Sequence, residues 1–168
     1  MSEAKFDLWA LHRALDQRRR IHGMSWQQVA DEMAGSIGGH GHRMSATTIT
    51  RTALGGIMEA DGVLAMVTWL GLSCNDFVRD VRIPPPSRRW DSRSVRRFDA
   101  RAFFSAVEEK RAANGKTWAQ LSSEIHGFTP GMLTRLSKGG RMSIQQVVAL
   151  SAWLGVAPED FAFPRSPA

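Results

Sequence analysis

The stretch Lys116–Arg141, KTWAQLSSEIHGFTPGMLTRLSKGGR, carries the clearest structural signal in the chain. Thr117 and Gln120 stand three residues apart, which is the spacing of a capping box, so they predict where a helix begins. Leu121 and Ile125 then fall on one face of that helix. The first part of the stretch therefore predicts a short amphipathic helix.

The second part of the stretch predicts another short helix after a tight turn. Thr129 can cap it, and Pro130 suits its first position, where a missing N–H costs nothing. Leu133 and Leu136 give it an apolar side, and Gly139 with the glycine after it can end it. Two capped helices around a tight turn are typical of a DNA-binding helix-turn-helix, although an ordinary corner between two helices fits equally well.

Composition and charge narrow the class of protein. The chain has 168 residues, 43% of them hydrophobic, which suits one ordinary domain or two small ones. Its net charge of +6 favours a polyanionic partner, with nucleic acid well ahead of an acidic membrane surface. No apolar run is long enough to span a membrane, the N-terminus resembles no targeting peptide, and Cys74 is the single cysteine. We therefore expect a cytoplasmic protein without disulfides or membrane contact, associated with the nucleoid when bound to DNA.

The positive charge is concentrated in one segment. Pro84–Pro86 favours an extended polyproline conformation, which predicts a linker over residues 84–97. The arginines in and around it are Arg79, Arg82, Arg88, Arg89, Arg93, Arg96, Arg97 and Arg101. Arginine binds phosphate and guanine edges in a bidentate manner, so this cluster is a candidate DNA contact.

The chain contains an internal duplication. Residues 6–33 align without gaps with residues 98–125 at an offset of 92, and the later parts align at an offset of 84. Matches in the first block include Phe6, Asp7, Arg19, Gly23, Trp26 and Glu32 with Phe98, Asp99, Arg111, Gly115, Trp118 and Glu124. Matches in the second include Thr50, Arg51, Gly55, Trp69 and Phe77 with Thr134, Arg135, Gly139, Trp153 and Phe161. The duplication predicts two similar domains, at 1–83 and 98–168.

The first copy reads as five helices, at about 6–20, 26–33, 45–54, 60–71 and 75–80. Leu8, Leu11 and Leu15 should face its core. Arg13, Arg18, Arg19 and Arg20 would then mark a solvated outer face. No segment alternates for long enough to predict a strand, so the fold class is all-α.

A glycine-rich insertion, residues 34–43, distinguishes the first copy. His40 and His42 within it lack an acidic or cysteine neighbour, so we predict no metal site there. A contact with a protein partner is one use for such a loop, and a plain surface insertion is another. No nucleophile–base set or phosphate-binding loop is present, so we expect neither an enzyme nor a cofactor.

Both copies resemble the Cro/phage-repressor (XRE-like) helix-turn-helix family. The resemblance rests on the W-x-x-L of 118–121, the T-P-x-x-L-T-R-L of 129–136, the K-G-G-R of 138–141 and the W-L-G of 153–155. In the first copy it rests on 26–29, 45–51, 55–56 and 69–71. The family implies a five-helix lambda-repressor-like bundle in each copy, with the third helix as the recognition helix.

The resemblance also implies DNA contacts. Base contacts would fall on Ala46, Thr47, Arg51, Pro130, Gly131 and Arg135, and phosphate contacts near Trp26 and Trp118. Together with their neighbours and the linker arginines, the candidate set adds Ser45, Thr50, Thr129, Thr134, Lys138, Arg141, Arg88, Arg89, Arg96 and Arg97. Both turns between the second and third helices are longer than is usual in the family.

The sequence thus favours a bacterial or phage transcriptional regulator that binds double-stranded DNA through paired helix-turn-helix copies. It leaves open whether the chain also forms a homodimer. The alternative is a protein-interaction module, such as an anti-activator or complex adaptor, that kept the fold and lost base readout.

Overall fold

The computed structural model describes residues 4–35, 44–88 and 96–164, and in these ranges the chain is mostly helical. The first half contains β1 (Lys5–Phe6), α1 (Leu8–Ile21), α2 (Trp26–Gly35), α3 (Ala46–Thr50) with a 3₁₀ turn at Arg51–Leu54, α4 (Ala60–Leu70), a 3₁₀ turn at Cys74–Phe77, and β2 (Val78–Arg79). The second half contains β3 (Arg96–Phe98), α5 (Ala100–Ala113), α6 (Trp118–Glu124), α7 (Pro130–Ser137), α8 (Ile144–Leu154), a 3₁₀ turn at Pro158–Phe161, and β4 (Ala162–Pro164). Within the described ranges, no helix has the length and apolar character that crossing a bilayer requires.

Side-chain caps set most of the helix boundaries. The capping box of Thr117 and Gln120 is present at α6, and Ser25 forms the same box at α2. Asp7 and Asp99 cap α1 and α5 by accepting the backbone N–H three residues on, a role that the sequence reasoning missed. The two longest helices therefore begin at 8 and 100 rather than at the preceding phenylalanines.

The prediction of a chain without strands is wrong in detail. β1 pairs antiparallel with β2, and β3 pairs antiparallel with β4. In each half, the strand before the first helix therefore pairs with the strand at the end of the same half. The backbone N–H of Asp7 also donates to Phe77 O at 2.7 Å, and Asp99 donates to Phe161 O at the same distance. Strands of two or three residues are too short to show the alternation from which a strand is predicted.

The core of each half is built from equivalent helix positions. Leu11 and Leu15 of α1 are fully buried, and Phe103 and Val107 take their places in α5. The prediction of a solvated arginine face on α1 is wrong in part. The Arg18 guanidinium lies 4.8 Å from the Trp69 ring centroid, and the Arg19 guanidinium lies 4.7 Å from that of Trp26. The sequence pattern could not show that both stack on indoles from other helices.

The two halves meet through a reciprocal set of hydrogen bonds. Ala60 N donates to Met142 O at 2.9 Å, and Ile144 N donates to Met58 O at 2.8 Å. Ala60 is equivalent to Ile144, and Met58 to Met142, at the offset of 84 that the duplication gives. The two hydrogen bonds are therefore the same contact made once in each direction. A residue pair that contacts in both directions is the signature of an isologous, two-fold interface.

A second reciprocal pair extends this interface. Phe6 N donates to the side chain of Gln145 at 2.9 Å, and Phe98 N donates to the side chain of Asp61 at 2.8 Å. Apolar contacts also cross this interface, since Ile144 of the second half packs into the apolar cluster of the first half. The halves therefore associate as a pseudo-dimer within one chain.

The segment after β2 is anchored to both halves. Ile83 is buried, and the Asn75 amide donates to the carbonyl oxygens of Ile83 and Pro84. Ser87 donates to the Asp160 carboxylate from both its backbone N–H and its hydroxyl. The start of the predicted linker is thus fixed in place by polar contacts.

Candidate nucleic-acid interface

The helices α3 and α7 each turn one side to the core and the other to solvent. Ile49 of α3 and Leu133 of α7 are buried, which places Thr47, Arg51 and Arg135 on exposed surface. Ala46 is half-buried, and Pro130 and Gly131 are exposed at the start of α7. The residues expected to face DNA thus include the exposed positions of both helices.

Several hydroxyls in the candidate set bond to their own helix. Ser45 accepts Thr48 N at 3.1 Å, and Thr129 accepts Met132 N at 3.4 Å, so both act as N-caps. Thr50 Oγ1 donates to Thr47 O at 3.1 Å.

Thr134 Oγ1 likewise donates to Pro130 O at 3.1 Å. Thr47, Arg51 and Arg135 have no side-chain hydrogen bond or ion pair to any residue that the structure describes. Their polar groups are therefore available to a ligand.

Trp26 and Trp118 are held in matching arginine contacts. Arg19 stacks on Trp26, bonds Asp16 Oδ1 at 2.5 Å and donates to a backbone carbonyl beside α2. Arg111 stacks on Trp118 at 4.6 Å in the same way. The hydrogen bond from Arg19 lowers the pKa of the Asp16 carboxyl, and the charges of Arg19 and Arg20 act in the same direction. Both tryptophans are half-buried, so packing explains much of their presence, and their phosphate contacts stay a prediction.

The two halves differ in the loop that follows the third helix. Lys138 and Arg141 stand at positions where the first half has Leu54 and Ile57. These two apolar side chains are 82% and 93% exposed, which sequence analysis overlooked although the aligned repeats contain the signal. Arg141 also forms a 3.0 Å ion pair with Glu59 across the interface. The second half is thus cationic where the first is apolar.

The predicted linker arginines fall in three settings. Arg88 is exposed at the end of the anchored segment, and Arg97 is exposed in β3. The backbone of Arg96 pairs with Pro164, so β3 begins inside the range assigned to the linker. Arg89 and residues 36–43 of the insertion, with His40 and His42, lie outside the described residues.

Neither a group of metal ligands in the described part of the chain nor a similar known protein was found that would indicate what the candidate interface binds. Among the described residues, no three His, Cys, Asp or Glu side chains are grouped as a metal site would need. No protein-family model, curated protein or solved structure matches the chain significantly.

Proposed function

We propose that this chain is a DNA-binding transcriptional regulator, with α2–α3 and α6–α7 as two helix-turn-helix units. The resemblance to the Cro/phage-repressor family and the net charge of +6 support this assignment. The observation that carries it is the repeated arrangement of a capped third helix with an exposed arginine at the same position, Arg51 and Arg135. An arginine there can donate to O6 and N7 of guanine.

We further propose that one chain reads two half-sites. Gly55 and Gly139 end the proposed recognition helices, each four residues from the bridge between Glu59 and Ser143. Four extended residues reach at most about 14 Å, so these helix ends are no more than about 34 Å apart. This upper limit just reaches the roughly 34–36 Å between the centres of half-sites one DNA turn apart. The pseudo-two-fold interface would match an imperfectly palindromic site.

A salt titration on random duplex DNA tests the proposal. Fluorescence anisotropy should show affinity falling steeply with salt, since each neutralised phosphate adds about 0.9 to the slope of log K against log salt. Selection from a random library should then enrich a two-part site bound by one chain. No binding at low salt would contradict the assignment.

Leu54 and Ile57 favour the second candidate, a protein-interaction module. Two exposed aliphatic side chains where DNA-facing cations would help suit a protein contact better than a phosphate contact. Under this alternative, Leu54→Lys with Ile57→Arg abolishes capture of the partner. Under the DNA-binding proposal, the same double substitution strengthens binding to random DNA.

A further inference from the structure

An open cleft of about 700 Å³ lies in the first half, and its lining includes no residue of α3. The C-terminal end of α1, helix α2 and helix α4 form its walls. Its lining residues are Arg18, His22, Met24, Gln28, Asp31, Glu32 and Trp69. The volume falls within the roughly 300–1,000 Å³ typical of small-molecule sites.

The second half shows which chemical group fits the equivalent place. Lys116 Nζ lies 2.6 Å from both carboxylate oxygens of Glu124, which is the counterpart of Glu32. Lys110 Nζ donates to two carbonyl oxygens at the end of α8 and lies 5.2 Å from the Trp153 ring centroid. The equivalent site is therefore occupied by an ammonium group of the chain itself.

The first half lacks that ammonium group but has the carboxylate. Met24 stands where the second half has Lys116, and Asp31 stands where it has Ser123. Glu32 accepts a hydrogen bond from the Trp69 indole N–H at 2.9 Å. Among the described residues, no basic side chain forms an ion pair with Asp31 or Glu32.

The charge of the cleft follows from these replacements. Asp31 and Glu32 contribute two carboxylates, and Arg18, whose guanidinium lies over Trp69, contributes one positive charge. A carboxylate is stabilised by a charge-assisted hydrogen bond from a cation at close range. The cleft is thus short of one cation relative to its counterpart in the second half.

We propose that this cleft binds a small organic amine, whose ammonium group takes the place that Lys116 Nζ holds in the second half. Glu32 accepts from the ammonium group, and Asp31 adds a second negative charge beside it. The apolar body of the amine lies against Met24 and the edge of Trp69, where a lysine side chain would otherwise run. The proposal is independent of DNA binding.

Phenethylamine is a suitable probe, and 2-phenylethanol is its uncharged control. In ¹⁵N-labelled protein, the indole N–H signal of Trp69 reports directly on the hydrogen bond to Glu32. Phenethylamine should shift that signal in a saturable way while the Trp153 signal stays in place. The alcohol at equal concentration should shift neither signal.

Substitutions that exchange the two halves' side chains provide the decisive comparison. Met24→Lys recreates the internal ion pair in the first half, so it should weaken phenethylamine binding at least about tenfold. Lys116→Met should open the equivalent site, so that the amine then shifts the Trp153 signal. Glu32→Gln should also weaken binding at least about tenfold, whereas Glu124→Gln should leave it unchanged.

Two results would overturn the proposal. One is a Trp69 signal that ignores phenethylamine, and the other is equal binding to the wild-type protein and to Met24→Lys with its fold intact by circular dichroism. N-acetyl-lysine methylamide distinguishes the source of the ammonium group. If this blocked lysine binds more tightly than phenethylamine, the cleft prefers a lysine side chain and the assignment to a small free amine is overturned, whereas weaker binding supports that assignment.

Discussion

Arg51 and Arg135 occupy the same position in the duplicated sequence, yet their backbones differ. Arg135 lies within the continuous helix α7, whereas α3 ends at Thr50 and Arg51 begins a 3₁₀ turn. A side chain on a regular helix is aimed more reproducibly than one at a change of helix type. Arg135 is therefore the better candidate for direct base readout.

Arg135→Ala should lower affinity for a selected DNA site by about tenfold or more, because a bidentate arginine–guanine contact is worth about 1–3 kcal/mol of discrimination. Random-duplex binding and melting temperature should stay nearly unchanged. Anisotropy titrations on both DNAs measure this, with Arg13→Ala as a control that removes an exposed charge from α1. A lowered melting temperature with an unchanged ratio of selected to random affinity would assign Arg135 to helix stabilisation instead.

At the scale of elements, the glycine after α7 is more constrained than its counterpart in the first half. A Cβ on Gly140 would lie 2.8 Å from the backbone carbonyl oxygen of Arg135, whereas one on Gly56 would meet nothing within 4 Å. Gly140→Ala should therefore destabilise the fold by about 1–3 kcal/mol, as overpacking does. Gly56→Ala should be neutral or slightly stabilising. Chemical denaturation of the two variants measures the difference, and equal stabilities would contradict it.

The arginine cluster between the halves should add affinity without sequence preference. Replacing Arg88, Arg89, Arg96 and Arg97 by Ala should flatten the salt slope on random DNA by up to about 3–4, since each lost phosphate contact removes about 0.9. Affinity for all sequences should fall alike. Replacing Arg13 and Arg20 on α1 serves as the control, with little change expected. An unchanged slope in the fourfold variant would leave the cluster without a role in DNA binding.

The helices could be predicted from sequence because their determinants are local. Ser25 and Thr117 lie three residues from the glutamines that complete their boxes, and that spacing is visible without a structure. The interface could not be predicted, because Met58 and Met142 meet through backbone groups that carry no sequence pattern. The proposed amine cleft could have been suspected from the sequence, because aligning the repeats pairs Met24 with Lys116. The sequence alone did not show that this difference concerns a carboxylate, because that inference depends on the observed contact between Lys116 and Glu124.

At the scale of the whole molecule, a buried carboxyl links the two halves. Glu159 of the second half is 4% exposed, and its Oε1 accepts the Cys74 N–H of the first half at 2.5 Å. Its Oε2 is buried and has no hydrogen-bond partner among the residues that the structure describes. Burial raises the pKa of Glu159 above its ordinary value, and the charge of Asp160 acts in the same direction. Hydrogen bonds from the backbone N–H groups of Cys74 and Glu159 and from the Cys74 thiol oppose this shift without cancelling it.

This raised pKa sets the sign of a pH dependence. Above the ordinary pKa of glutamate, the unfolded chain has lost the proton that folded Glu159 still holds. Stability should therefore fall as pH rises from that value through the folded pKa. Glu159→Gln resembles the protonated acid and retains an acceptor for Cys74 N–H, so this part of the pH dependence should vanish. Relative to wild type, the free energy of unfolding of this variant should rise between pH 4.5 and pH 8, by no more than about 1.4 kcal/mol per pH unit. Its melting temperature relative to wild type should rise with it. Scanning calorimetry across that range measures the difference, and Glu109→Gln on the exposed face of α5 should show no such trend. A difference that stays constant with pH would mean that Glu159 ionises normally and that the contact between the halves tolerates its charge.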